Sequence, residues 1–322
     1  MKVAILGGGS CFALNLARHL SECGIEHFGI GRSPRKPPAM WPVDHHYRYQ
    51  DLHVVDQLQA VMAVLDTERP DTVICFAAQG EGAASFGDNA PDFFRTNTWG
   101  LSRLVLALRQ RDYLKRFINI GSSEVYGSPD HPAKESDLLN PTSPYSVSKA
   151  AFDQYLSAMW RTQKFPMNII RPSNCYTPGQ QLHRIIPKAI LCALKGEKLQ
   201  LHGGGLAQKS YLHSTDLSHA ILNIAENAPL GEVYNVGPDY PVTIRSVVDT
   251  VAKACGVTFE ALVEEVPDRI GQDSRYYLDV EKMKDMGWKQ TISLENGVDD
   301  MVQWVKKYPE ILAFDTAYRH RL

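Results

Sequence analysis

Lys2-Val3-Ala4-Ile5-Leu6-Gly7-Gly8-Gly9-Ser10-Cys11-Phe12-Ala13 decides the fold. An apolar run ends in three glycines, and from Phe12 to Cys23 apolar residues return at helical spacing. Strand, tight turn and helix form the opening unit of a parallel sheet wound with helices. Glycines in that turn let a pyrophosphate approach the backbone, and the N-terminus of the following helix faces its charge. Gly7 and Gly9 take that role, with Ser10, Cys11 and Phe12 at the helix entry. Small Ser10 and Ala13 stand at the second and third positions of the fingerprint, where glycine is usual. The segment reads as a dinucleotide site.

The same rhythm continues outward. Strands are expected at Lys2–Gly7, Glu26–Gly31, Asp71–Phe76, Arg116–Gly121 and Pro166–Arg171. Helices are expected at Val54–Leu65, Ala90–Arg111 and Ser143–Gln163. Alternating strands and helices predict an α/β fold with a doubly wound parallel sheet of the Rossmann type. After Arg171 prolines and glycines thicken, through Pro178, Gly179, Pro187 and Gly203-Gly204-Gly205. Tyr211–Asn227 and Glu232–Gly237 still read as a helix and a strand of the main sheet, and Leu294–Lys306 as a last helix. The expected division is a dinucleotide-binding domain at 1–172 plus about 206–237. A smaller α/β substrate lobe takes 173–205 plus 238–322.

Composition excludes several classes. The 322 residues are 44% hydrophobic and 22% charged, with a formal net charge of -2, so nothing points to nucleic acid or an anionic membrane as partner. No apolar run approaches a membrane span, and the run at Val3–Leu6 is too short for a signal-peptide core. Cys11, Cys23, Cys75, Cys175, Cys192 and Cys255 have no metal spacing and read as free thiols of a cytoplasmic protein, with Cys23, Cys75 and Cys255 in core segments. No metal site is expected; the adjacent His45 and His46 lie in a polar loop.

The end of the second strand chooses the dinucleotide. An acid there bonds the ribose 2′-hydroxyl of NAD, whereas arginine suits the 2′-phosphate of NADP. Gly31-Arg32-Ser33-Pro34-Arg35-Lys36 holds cations and no acid, so NADP is favoured over NAD, with Arg32 as the contact. Asp51 and Leu52 are taken as adenine contacts.

Tyr145 and Lys149 lie four apart on an expected helix and so share a face. A neighbouring ammonium stabilises phenolate and lowers the tyrosine pKa. Such a tyrosine takes the proton of a substrate hydroxyl while hydride leaves the same carbon. Upstream, Gly121-Ser122-Ser123-Glu124-Val125-Tyr126 ends the fourth strand. Ser122 can hold the substrate oxygen, and Glu124 can act as a second base.

With these pieces assembled, the chain resembles the extended short-chain dehydrogenase/reductase family, in its nucleotide-sugar epimerase/dehydratase branch. Phe76-Ala77-Ala78-Gln79 is similar to the family's nicotinamide-side loop, and Thr96-Asn97 to its helix asparagine. Ser143–Ala150 is similar to its active-site helix, and Arg171–Gln180 to the segment that crosses from cofactor to sugar. Asp268–Tyr276 resembles the diphosphate motif of sugar 4,6-dehydratases. The resemblance implies cofactor contacts at Ala77, Ala78, Gln79, Asn97, Tyr145, Lys149 and Pro172. It implies substrate contacts at Ser85, Glu124, Asn174, Arg184, Lys209 and Arg269, a nucleotide-diphosphate sugar as substrate, and a homodimer through Ala90–Arg111 and Ser143–Gln163. The segment Gln208–His213 departs from the usual Arg-Asp-aromatic pattern. Gly80–Ser85 is small where dehydratases often carry His, Asp and Arg.

Glu124 favours dehydration over simple epimerisation, since 4-epimerases usually lack this carboxylate. Ser123 replaces the acid of thymidine-type dehydratases. The Ser-Glu pair resembles GDP-mannose 4,6-dehydratases, UDP-glucuronate decarboxylases and some 4-keto-sugar reductases. The expected reaction is nucleotide-hexose 4,6-dehydration. Epimerisation, decarboxylation and 4-keto reduction are alternatives, as is a non-catalytic NAD(P) sensor.

Overall fold

The computed structural model describes residues 1–32, 37–40, 47–80, 83–267 and 275–314. Strand β1 (Lys2–Leu6) is buried from Val3 to Leu6. Its side chains alternate between two cores. Val3 and Ile5 pack with helix α1 (Cys11–Glu22), whereas Ala4 and Leu6 join the opposite face. A strand covered on both faces needs apolar residues at every position, which is why this run is uninterrupted.

Parallel pairs extend the sheet from β1. On one side lie β2 (Glu26–Gly31) and the edge strand β3 (Tyr49–Asp51). On the other lie β4 (Thr72–Cys75), β5 (Arg116–Ile120), β6 (Met167–Pro172) and β7 (Val233–Val236). The order is β7-β6-β5-β4-β1-β2-β3, all parallel, with the reversal of winding between β1 and β4. Such a reversal opens a crevice at the carboxyl ends of the strands.

Helix α2 (Leu58–Glu68) starts four residues later than the pattern suggests. The amides of His53 and Asp56 bond the side chains of Gln57 and His53, which hold 54–57 as a turn. The expected helix at Ala90–Arg111 is a helical run, α3, spanning 90–108, but its centre, Arg95–Gly100, is a π-helix. Such widened turns frequently occur at functional sites, and this one carries Asn97. Helix α4 (Pro144–Gln163) is capped by Ser143, whose hydroxyl and that of Ser146 bond each other's backbone N–H in a reciprocal box.

A third core forms beyond β6. It gathers helices α5 (Ile185–Lys195), α7 (Ile244–Cys255) and α8 (Leu294–Lys307) around Tyr176, Leu199 and Leu201. Strand Leu199–His202 pairs in parallel with Val263–Val266, and Gln208–Lys209 pairs antiparallel with Val242–Thr243. Helix α6 (Ser214–Asn227) returns to pack on α1. The expectation of helix from Tyr211 is corrected: Tyr211–His213 is a short strand paired with Asn174–Tyr176. Cys23 is also corrected, because it is exposed at the C-terminal cap of α1 rather than in the core.

Two glycines share left-handed backbone but not surroundings. Gly7 has φ +75° and a Cβ there would lie 2.6 Å from the Ala77 nitrogen; Gly24 has φ +67° with nothing within 4 Å. Gly24→Ala should cost about 1–2 kcal/mol from backbone strain alone. Gly7→Ala should lower the melting temperature clearly further, because the backbone after β4 must also move. Equal melting losses for the two variants would show that this close approach is not required.

Candidate active site

The carboxyl ends of β1, β4, β5 and β6 meet the third core across one cleft of about 500 Å³. Ser10, Phe12, Ala78 and Pro172 line its dinucleotide side. Ser122, Ser123, Glu124, Tyr145 and Lys149 line its floor, and Asn174, Arg184 and Lys209 its far wall. Residues from four strand ends and three sequence regions therefore converge on one space.

The glycine turn suits a dinucleotide. The Gly7 and Gly8 amides both donate to the Ile30 carbonyl, at 2.7 and 3.0 Å, which draws the turn onto β2. Ser10 is the N-cap of α1, its hydroxyl accepting from the Ala13 amide at 3.2 Å. Gly9 and Cys11 are buried in this turn and Phe12 is half-buried. A helix N-terminus thus stands beside the cleft, and the crowding around Gly7 leaves no room for a side chain. The fit to a pyrophosphate is good.

At the β2 end, the half-buried Arg32 donates to the Gln79 side-chain oxygen at 3.1 Å. Asp51 is exposed opposite Gly31, and the Leu52 amide bonds the Gly31 carbonyl. Gln79 is tied in turn to the π-turn. Its amide donates to Asn97 Oδ1 at 2.7 Å, and Asn97 Nδ2 donates to the Gln79 carbonyl and to Ser148 Oγ, each at 2.9 Å. Ser148 Oγ donates to the Tyr145 carbonyl at 2.6 Å. Asn97 is thereby the fixed link between the Ala77-Ala78-Gln79 loop and the helix carrying Tyr145. Lys36 and its neighbours back to Ser33, His45, His46 and Arg269 lie outside the described residues.

Tyr145 and Lys149 occupy successive turns of α4. Tyr145 is half-buried on the cleft, edge-on to Phe93, and its amide donates to the buried Ser85 hydroxyl at 3.1 Å. Ser85 thus braces the backbone of α4 and is not among the residues lining the cleft. Lys149 is buried, and its Nζ donates to the Ile120 carbonyl at 2.7 Å. Burial pushes this ammonium below the usual lysine range; the nearby Asp153 carboxylate and the Cys75 thiol oppose that.

Glu124 sits half-buried in a single 3-10 turn, Ser123–Tyr126, and its amide donates to Ser122 Oγ at 3.2 Å. Ser123 is buried on the cleft. Across the cleft the buried Lys209 ammonium lies 3.3 Å from the Tyr276 ring centre, a cation–π contact that holds a positive charge at the wall. Arg184 is exposed at the N-terminus of α5. Phe76, Ser173, Tyr176 and Gln180 also line the cleft and carried no individual assignment in the sequence. Ser173 Oγ and Gln180 Oε1 are buried polar atoms with no hydrogen-bond partner among the described residues. Among the described residues no group of three His, Cys, Asp or Glu could hold a metal ion.

The chain is similar to several known proteins. A trifunctional UDP-glucose 4,6-dehydratase, 3,5-epimerase and 4-keto-reductase of Arabidopsis thaliana is 34% identical over 251 residues, 77% of this chain and 38% of that longer protein. The chain therefore spans less than half of that relative. The dTDP-D-glucose 4,6-dehydratase of Mus musculus is 33% identical over 77% of this chain and 71% of its own. The structure of dTDP-glucose 4,6-dehydratase from Bacillus anthracis in complex with NAD superposes with a TM-score of 0.86 at 28% identity, covering 96% of this chain and 98% of that one. Residues 3–237 match the family described as the NAD dependent epimerase/dehydratase family, and the chain belongs to it.

Proposed function

We propose that this enzyme is a nucleotide-diphospho-hexose 4,6-dehydratase. The observation that carries this reading is the single cleft that brings Tyr145, Lys149, Ser122 and Glu124 opposite Asn174 and Lys209. An epimerase needs only the first three, and a non-catalytic sensor needs none of the four. The named activities of the mouse and Bacillus relatives support the same choice.

The diphosphate of the sugar nucleotide lies on Asn174 and Lys209, with Arg184 a further substrate contact, and the family resemblance alone adds Arg269. Lysine acts there as a point charge and arginine as a fork. Ser122 Oγ holds the C4 hydroxyl, and Tyr145, ionised beside Lys149, takes its proton. Ala78, Tyr145, Lys149 and Pro172 would hold a nicotinamide, which when bound would supply hydride acceptance from C4 and hydride return to C6. The C4 ketone acidifies C5, and Glu124 removes that proton. The carboxyl so formed returns the proton to the departing C6 hydroxyl, which leaves as water, while buried Ser123 donates a hydrogen bond to it. When hydride returns to C6, C5 takes one proton from solvent through Glu124, and Tyr145 releases the C4-hydroxyl proton to solvent, so the protons balance without the separate acid that Ser123 replaces.

NADP is the preferred dinucleotide on this reading because β2 runs into Arg32 and not into an acid. The Bacillus relative holds NAD, so the preference rests on Arg32 alone. We also divide the chain at 1–172 plus 206–237 for the cofactor, and at 173–205 plus 238–322 for the sugar. A homodimer through α3 and α4 would cover exposed Phe94, Trp99, Leu106 and Val147. With sugar nucleotides as substrate and six free thiols, the cytoplasm is its compartment.

Three results test these statements. Glu124→Gln should still reduce the nicotinamide when dTDP-glucose is added, while dehydration falls by about 10²–10⁴-fold; undiminished water loss would remove Glu124 as the base. Arg32→Ser should weaken NADPH binding without weakening NADH binding, and a wild type that binds NADH more tightly would overturn the NADP preference. Trp99→Glu with Leu106→Glu should convert a dimer to a monomer in sedimentation, whereas a monomeric wild type would contradict the interface.

A further inference from the structure

Beneath the floor of the cleft lies a second set of charged groups that the reaction itself does not use. Asp153 is fully buried one helical turn beyond Lys149 on α4. Its Oδ2 accepts from Arg171 Nε at 2.9 Å, and its Oδ1 accepts from Asn119 Nδ2 at 3.2 Å. Arg171, on β6, is also buried, with 4% of its surface exposed. Its NH1 donates to the Tyr126 hydroxyl at 2.6 Å, and its guanidinium lies over the Tyr126 ring at 5.0 Å. The Tyr126 hydroxyl then donates to Asn235 Oδ1 at 2.9 Å, on β7. Tyr126 ends the same 3-10 turn that carries Ser123 and Glu124.

The arrangement is costly unless it serves something. Two ions taken out of water lose several kcal/mol each of hydration, which mutual attraction returns only with good geometry. Here the pair bridges β5, β6, β7, the Glu124 turn and the helix of Tyr145. Among the described residues, the charged or titratable groups near Lys149 include Tyr145 and Asp153 from its own helix, Cys75 from β4 and Glu124 on the cleft floor, with Arg171 behind Asp153.

We propose that Asp153, paired with Arg171, is a positioning residue for Tyr145, Lys149 and Glu124. Its carboxylate keeps the Lys149 ammonium charged in a buried site, and Arg171 with Tyr126 locks the Glu124 turn to the same helix. Both carboxylate oxygens accept N–H donors, which is the bonding of the ionised form. Burial pushes the Asp153 carboxyl above the usual carboxylate range, against the opposing pull of Arg171 and Lys149. The inference rests on the Tyr145–Lys149 reading of the reaction.

The direction of each effect follows from charge. Lys149 must stay protonated, so activity falls on the alkaline side as its proton is lost. Removing the Asp153 charge exposes Lys149 to an uncompensated Arg171 and lowers its pKa. Removing the Arg171 charge leaves Asp153 as counter-ion to Lys149 alone and raises it. With dTDP-glucose as substrate, Asp153→Asn should therefore move the alkaline limb of kcat down by about 1–3 pH units. Arg171→Gln should move that limb up, and Asp153→Glu should restore the wild-type position. Tyr126→Phe should leave the limb in place and lower kcat with little change in KM.

A uniform loss of rate with an unmoved limb in Asp153→Asn would mean a purely structural role and would overturn the inference. Should that variant fail to fold, as judged by melting and cofactor binding, the Arg171→Gln limb decides: upward supports the inference, unmoved or downward sinks it. Lys149→Met separates the two levels. Undiminished turnover in Lys149→Met would remove the underlying reading itself. Lost turnover there, with unmoved limbs in the other variants, would remove only the role of Asp153.

Discussion

A buried ammonium is the constraint around which this fold is arranged. Lys149 has almost no exposure to water and bonds the backbone carbonyl of Ile120 at 2.7 Å. An unpaired charge in such a place would be expelled or neutralised. It stays because β5 presents a carbonyl at its very end and because α4 supplies Asp153 one turn away. Asp153 in turn requires Arg171 from β6. The sheet order that sets β5 between β4 and β6 is thus what makes the charge tolerable at the site where it is useful.

Two further ties convert a tolerated charge into an organised site. Asn97, buried in a locally widened helical turn, bonds the Gln79 backbone N–H and carbonyl and the Ser148 hydroxyl. This fixes the loop after β4 relative to the helix of Tyr145. Tyr126 fixes the Glu124 turn through Arg171. Of the proposed reacting groups, Tyr145 and Lys149 sit on the long helix α4 and Glu124 on a short turn that buried hydrogen bonds fasten to β6. That is the form preorganisation takes in this protein. The far wall is built differently. Lys209 rests on an aromatic ring, on a segment held by two-residue strands, so the wall is the part best able to vary with the sugar nucleotide.

Much of this was legible in the residues. The six main-sheet strands read from sequence are those whose runs are mostly apolar and buried. Strand β3 escaped because Tyr49–Asp51 is short and at the edge, with Gln50 and Asp51 exposed. The short strands beyond β6 escaped for another reason: they are two to four residues long and pair with partners distant in sequence, as Leu199–His202 does with Val263–Val266. Tyr145 and Lys149 were readable because four residues make one helical turn. Asp153 continues that spacing, yet nothing in the sequence says that Arg171 comes to meet it. The bond between Arg32 and Gln79 was equally invisible, since it joins the ends of two strands that only the sheet brings near.

The central claim is that one sugar is oxidised, dehydrated and reduced without leaving this cleft. Deuterium placed on C4 of dTDP-glucose or UDP-glucose follows that path directly. The account predicts a product lighter by one water that carries the deuterium on C6. A product of unchanged mass, or deuterium lost to solvent or still on C4, would contradict it.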